Sequence, residues 1–303
     1  RNLSFIRMHP SASWSSLRFM LAASVPVERS FEIWPGRLSF AAGGPGAREA
    51  LDVATDVARD LARAVIEDAE LLVKGGDVLP RGIAGRHALE AVAPFRDVQG
   101  GDLPPSLAAL PGAICDTVLD AMRRAAGETE FVIVALGNAA AIYQESGVAV
   151  PPDTDMPPVL AEFAHALGPG IQGGVALGGI HSSMPTCGAL DMVAVQSKSA
   201  AHAGFAAVLV ADAAAAGFLP PRGGMPRDRL FAAGWSGHAV ARAPGLVEPE
   251  LIWDALSASV RRASSLRDRR LLSAAALGFK GRGRTIGPVE GDRLLRFGVS
   301  EWR

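Results

Sequence analysis

Cysteine is nearly absent: Cys115 and Cys187 are the only two in 303 residues. That is too few for a disulfide framework or a zinc ribbon, so a reducing, cytoplasmic setting is the economical expectation. Tyrosine occurs once, as Tyr143, and aromatic residues make up 6% of the chain. Stacking platforms for bases or sugars are correspondingly scarce. No charge of one sign dominates, with Lys+Arg 30 against Asp+Glu 31. Without a cationic surplus a chain does not neutralise a phosphate backbone, and nucleic acid is not an expected partner. Lysine is confined to Lys74, Lys198 and Lys280. The excess of Arg accompanies abundant Ala and reads as codon usage of a GC-rich source, not as bidentate phosphate recognition. Long apolar runs are also missing. Phe19 to Ala23, after Arg18, is too short for a secretory leader, and no Cys follows it to carry a lipid. Ala200 to Leu219 is mostly Ala and includes His202 and Asp212. It is expected to be a buried helix of a soluble core, with no membrane partner.

What is present is a large apolar fraction, 49% hydrophobic against 20% charged, which excludes a disordered or fibrous chain. The length suggests two domains or two similar halves. We read residues 1–30 as an ill-defined lead, 31–150 as a first half and 151–303 as a second, divided at the proline-rich stretch from Val150 to Pro158. A short strand is expected at Arg37–Ala41, then a helix from Ala47 to Asp68 with Leu51, Ala54, Val57, Leu61 and Val65 on one face. Residues 75–106, rich in Gly, Pro and Arg, read mostly as loop. A second helix is expected over Gly112–Ala126 and a buried strand over Phe131–Leu136. A Gly-rich segment at 168–179 precedes a strand at Asp191–Val195, the Ala-rich helix, a loop at 217–227, a helix at Leu251–Leu266 and a strand at Ser273–Phe279. Alternating helices and strands predict an α/β (α+β) fold, two packed halves with helices on a mainly antiparallel sheet. Phe131, Ile133, Val134, Val193, Val195 and Val208 are its expected core.

Three segments interrupt apolar stretches with polar or flexible residues. Gly137 and Asn138 end the buried strand, where ligands often bind; Asn is equally at home in a plain turn. Gly179-Ile180-His181-Ser182-Ser183 offers an imidazole, two hydroxyls and backbone donors, with Cys187 just beyond and Asp191 opening the next strand. A His beside a hydroxyl or thiol can support nucleophilic chemistry, though no GxSxG elbow is present. Asp116 lies within an apolar helix, either on its solvent side or turned into a cleft as a base. Gly43-Gly44-Pro45-Gly46 matches no phosphate-binding fingerprint. The histidines show no HxxxH spacing, and no transition-metal site is expected. We therefore take Asp116, His181, Ser182 and Ser183 as catalytic candidates, and Gly137, Asn138, Gly179 and Asp191 as candidates for ligand binding.

Taken in order, these segments resemble one family. Pro105 to Asp116 is similar to its small-residue helix start with Gly and Asp, and Phe131–Asn138 to its strand leading into a Gly-Gly-Asp turn. Gly179–Ser183 is similar to its Thr-Ser-Gly loop, Asp191–Asp212 to its strand and Ala-Asp-Ala-x-x-Thr helix, and Trp253–Gly283 to its closing helix and strand. The family is the ApbE-like superfamily, relatives of the FAD:protein FMN transferases, and within it the cytoplasmic branch. The resemblance implies a flavin-nucleotide site between the two halves, with FAD or FMN as cofactor. In such enzymes Mg²⁺ helps a Thr or Ser hydroxyl of a target protein attack the FAD pyrophosphate. Here Gly204 and Val208 stand where the Ala-rich helix carries Asp and Thr, Asn138 replaces the turn acid, and Pro111 replaces a Lys. Gly and Val offer Mg²⁺ none of the oxygen ligands it requires, and the pyrophosphate then lacks its charge stabiliser.

The expected function is accordingly a divergent ApbE-like protein that binds a flavin nucleotide or a related small molecule, with transferase activity doubtful. Two alternatives stand beside it. One is a metal-independent hydrolase or lyase using His181 with Ser182, Ser183 or Cys187; the other is a non-catalytic partner protein, a homo-oligomer among the options.

Overall fold

Short turns between apolar strands lay this chain down side by side in its own order. The structure, a computed structural model, describes residues 27–74, 79–98, 103–145, 147–148, 155–215, 226–236, 240–241 and 245–302. Strands β1 (Val27–Ile33), β2 (Gly36–Gly43), β3 (Phe131–Leu136), β4 (Ala139–Gln144), β5 (Gln172–Gly178), β6 (Met192–Ser197), β7 (Ala274–Phe279) and β8 (Arg282–Ile286) form one sheet in sequence order. Each is antiparallel to its neighbour, and a two-residue β9 (Glu301–Trp302) adds in parallel beside β8. The helices are α1 (Ala47–Lys74), α2 (Ile83–Val92), α3 (Leu110–Ala125), α4 (Pro158–Leu167), α5 (Ala200–Asp212), α6 (Arg229–Gly234) and α7 (Pro249–Asp268). The expected α/β architecture is therefore what the chain forms. The order of two strands, three helices, two strands occurs over β1–β4 and again over β5–β8. Pairing of β4 with β5, from Ala139↔Ala176 to Tyr143↔Gln172, runs the sheet unbroken through both.

Period-two alternation divides the core between the sheet's faces. Val132, Val134 and Leu136 pack beneath the helices on one face, while Phe131, Ile133 and Ala135 meet Leu160 and Phe163 of α4 on the other. Both faces of β3 are covered, which is why it reads as an unbroken apolar run. The six expected core residues are all buried, none more than 4% exposed. Helix α5 is buried all round from Ala200 to Ala211, against β5, β6, α3 and α7. Among the described residues no helix is long and apolar enough to cross a membrane.

Several expectations are corrected. Residues 83–92, read as loop, form α2 with Ala84, Ala88, Ala91 and Val92 buried; its small apolar residues at helical spacing are hidden between Gly, Pro and Arg flanks. The Gly-rich segment 168–179 contains β5, where Gly174 keeps the strand thin enough for the α5 N-terminus to lie on it and Gly173 leaves room for the Ser197 and Lys198 backbone. The first long helix runs to Lys74, not Asp68. Strand β4 and helix α4 have no counterpart in the sequence reading. Residues 27–30 of the expected lead belong to β1, while its residues 1–26, residues 150–154 of the expected half boundary and residues 217–225 of the expected 217–227 loop, Leu219 among them, fall outside the described residues.

Where α3 crosses α5 the backbones touch. A Cβ on Gly112 would lie 2.2 Å from the Ala200 carbonyl oxygen and 2.4 Å from the Ala201 nitrogen. One helical turn later Asp116 meets the same helix end.

Candidate ligand-binding site

In an antiparallel sheet laid down in chain order, every second connection falls at the same end. That end gathers Trp34-Pro35, Gly137-Asn138, the long β5–β6 connection from Gly179 to Asp191, and Lys280-Gly281. The helical crossovers leave from the other end.

The Gly179–Asp191 connection is tightly self-bonded. Gly179 has φ +92, and a Cβ there would come within 2.9 Å of the Leu190 carbonyl oxygen, so only glycine lets the chain double back at this point. The Ile180 N–H then donates to Leu190 O at 2.9 Å and the His181 N–H to Asp191 O at 3.1 Å. Ser182 Oγ lies 3.0 Å from Gly179 O and 2.9 Å from Met184 O, and accepts the Met184 N–H. Its one proton is thus held within the turn. Thr186 Oγ1 and the Cys187 N–H both donate to Asp212 Oδ1 at 2.6 Å, fixing the loop's far side to the end of α5.

The outer wall comes from β1–β2 and α6. Asp228 is the N-cap of α6, its Oδ1 accepting the N–H groups of Leu230 and Phe231 at 2.9 and 3.0 Å. Its Oδ2 accepts the Trp34 indole N–H at 2.9 Å, and the Trp34 and Phe231 rings lie 5.2 Å apart. Between this wall and the loop is a cleft of about 430 Å³, lined by Pro35, by Gly179, Ile180 and Ser182–Thr186 of the loop, and by Arg227, Asp228 and Phe231. Asp228→Ala is expected to lower stability by about 2 kcal/mol, because a helix cap and the partner of the indole N–H are lost together. Thermal melts of parent and variant measure it, and an unchanged melting temperature would count against this wall.

The sequence candidates distribute unevenly around the cleft. Gly179, Ser182 and Ser183 line it. Gly137, at φ +59, abuts Ser183, whose Oγ would lie 3.4 Å from a Cβ at that position. His181 is exposed, its Nε2 3.9 Å from Asp191 Oδ1, and Asp191 Oδ2 accepts the Lys280 N–H at 2.7 Å; neither His181 nor Asp191 lines the cleft. Asn138 is buried and donates its amide to Leu177 O at 2.8 Å, a role in strand pairing. Cys187 is partly exposed, and Cys115 is buried, a setting that raises its thiol pKa.

Asp116 lies elsewhere. Its Oδ1 accepts the Ala200 N–H at 2.8 Å and its Oδ2 the Ala201 N–H at 2.9 Å, capping α5 from outside that helix. Gly174 packs at Ala200, whereas the loop begins at Gly179, five strand residues on; at a rise of roughly 3.3 Å per residue that is about 16 Å. Burial pushes the Asp116 carboxyl up to about 6, against the lowering effect of the two N–H groups and the Ser199 hydroxyl. Ser199 Oγ is 2.9 Å from His202 Nδ1. Burial lowers the His202 pKa to about 4, helped by the charge of Lys198. This is a helix-capping cluster, separate from the cleft.

Pro35, Arg227, Asp228 and Phe231 escaped the sequence reading. One signal was present: Asp228 directly before Arg229-Leu230-Phe231 is the pattern of an N-cap. Gly204 and Val208 are buried within α5, with the Ala108 carbonyl oxygen 3.1 Å from where a Gly204 Cβ would sit. These residues do not fit Mg²⁺, which takes oxygen ligands. Among the described residues no three His, Cys, Asp or Glu side chains gather as a metal site. No protein-family model matches the chain, and no curated protein matches it either.

Proposed function

We propose that this chain is a divergent ApbE-like protein that holds a flavin nucleotide or a related small molecule in the cleft at the hairpin end of its sheet, and that FMN transfer is absent or slow. The observation that carries the reading is the cleft itself. Its volume of about 430 Å³ falls within the roughly 300–1,000 Å³ of small-ligand sites, toward the mononucleotide-sized end. It is walled by Gly179–Thr186, the loop whose first residues carry the family resemblance. The poor fit of Gly204 and Val208 to Mg²⁺ supports binding without transfer. The low cysteine content, two in 303 residues, agrees with a cytoplasmic setting. Titration of the purified protein with FMN and FAD, with and without Mg²⁺, is expected to give binding that Mg²⁺ changes less than about twofold, and no AMP release from FAD. Steep Mg²⁺ dependence, or AMP release, would overturn it.

A second reading, a metal-independent hydrolase or lyase, draws on the approach of Asp191 to His181, since a carboxylate beside an imidazole can orient a proton-transferring group. It calls for hydrolysis of a generic ester that disappears in His181→Ala.

A further inference from the structure

We infer that the cleft selects an organic anion, with the Arg227 guanidinium as the anchor for its negative charge. The inference rests on the reading of this cleft as a ligand site. Most polar groups of the lining are already bonded within the protein. Ser182 is bonded within its own turn, and Thr186 donates to Asp212 while accepting the Gly188 N–H. The Asp228 carboxylate already receives three N–H groups, two from α6 and one from Trp34. Two polar side chains of the lining are left over. Ser183 is exposed beside Gly137. Arg227 is exposed and, among the described residues, has no hydrogen-bond or ion-pair partner.

Among the described residues of the lining Arg227 is also the only cation, and the oxygens of the only carboxylate, Asp228, are occupied by those three N–H donors. The remaining surface is apolar or aromatic, from Pro35, Ile180, Met184 and Phe231. Such a site offers a planar fork of five N–H donors together with apolar surface. Its matching ligand carries a carboxylate or phosphate on an apolar or aromatic body. A neutral ligand leaves the guanidinium without a partner, and a cation is repelled by it.

The test uses two pairs of compounds that differ by one phosphate, FMN with riboflavin and AMP with adenosine. Each is titrated against the full chain and against Arg227→Gln, with circular dichroism to verify folding. The parent is expected to bind at least one phosphorylated member roughly tenfold more tightly than its neutral partner, a difference of about 1.4 kcal/mol. Arg227→Gln is expected to erase that preference while leaving the neutral compound's affinity unchanged. Ser183→Ala, expected to weaken binding by only a fewfold, serves as the comparison that removes no charge. Equal binding of charged and neutral members, or a preference that survives Arg227→Gln, overturns the anchor while leaving the cleft as a ligand site. Failure of all four compounds to bind overturns the cleft reading and the anchor together.

Discussion

Gly112→Ala is expected to destabilise the protein by about 3 kcal/mol, although alanine is ordinarily the better helix former by roughly 1 kcal/mol. Packing decides the sign. The added methyl carbon would sit 2.2 Å from the Ala200 carbonyl oxygen and 2.3 Å from its carbonyl carbon. Those are backbone atoms of the helix at the centre of the fold, so no side chain can swing aside to make room. Either α3 and α5 move apart along their whole contact, or α5 loses its seat on β5. Gly36→Ala is the control, since nothing lies within 4 Å of the position its Cβ would take, and it should change stability by less than about 0.5 kcal/mol. Urea denaturation of both variants separates the outcomes. A Gly112→Ala protein as stable as the parent would mean that the two helices do not approach as described.

The second large effect depends on pH. The Asp116 carboxyl has its pKa raised from 3.8 to about 6, with burial as the leading cause. Between those values the folded protein holds a proton that the unfolded chain has released. Folding stability from this group is therefore greatest below about pH 4 and declines as pH rises toward 6 and beyond. The shift corresponds to about 3 kcal/mol at most. Asp116→Asn cannot titrate, so its stability relative to the parent should rise by about 2–3 kcal/mol between pH 4 and pH 7. Comparing the variant with the parent at each pH cancels every other ionising group. The offset at low pH reads the capping bonds, because an Asn amide turns its NH₂ toward one of the two helix N–H groups and keeps only the other bond. A difference that stays constant with pH would place the Asp116 carboxyl in a solvated setting.

Periodic elements were legible because their patterns are local. Leu51, Ala54, Leu61 and Val65 announce α1, and the apolar run 131–136 announces β3 with its exact limits. Strand β5 was hidden because its glycines respond to something outside it, Gly173 to the backbone of Ser197 and Lys198 and Gly174 to the close approach of Ala200, more than twenty residues on. Helix α2 was hidden by the composition around it. The loop at 179–183 stood out as polar residues breaking apolar sequence, and it lines the cleft. Asp116 carried the same outward sign for a different reason: it satisfies two backbone donors of another helix. From sequence alone a carboxylate that binds a ligand and one that caps a distant helix look alike. The other wall of the cleft pairs Trp34 with Asp228, residues almost two hundred apart in the chain, and no local pattern records such a meeting.

The side-by-side order of the strands bears on how the chain is made. Because β1 pairs with β2, β3 with β4 and β7 with β8 across short turns, three hairpins can close as soon as their second strand leaves the ribosome. Joining β2 to β3, and β6 to β7, must wait until the intervening helices between Gly43 and Phe131, and between Ser197 and Ala274, have been synthesised and packed. Closing long loops before their contacts exist is the slow part of folding. Of the strand edges that later pair, those of β2 and β6 are therefore exposed longest during synthesis, and slowing translation before β3 or β7 emerges would lengthen that exposure.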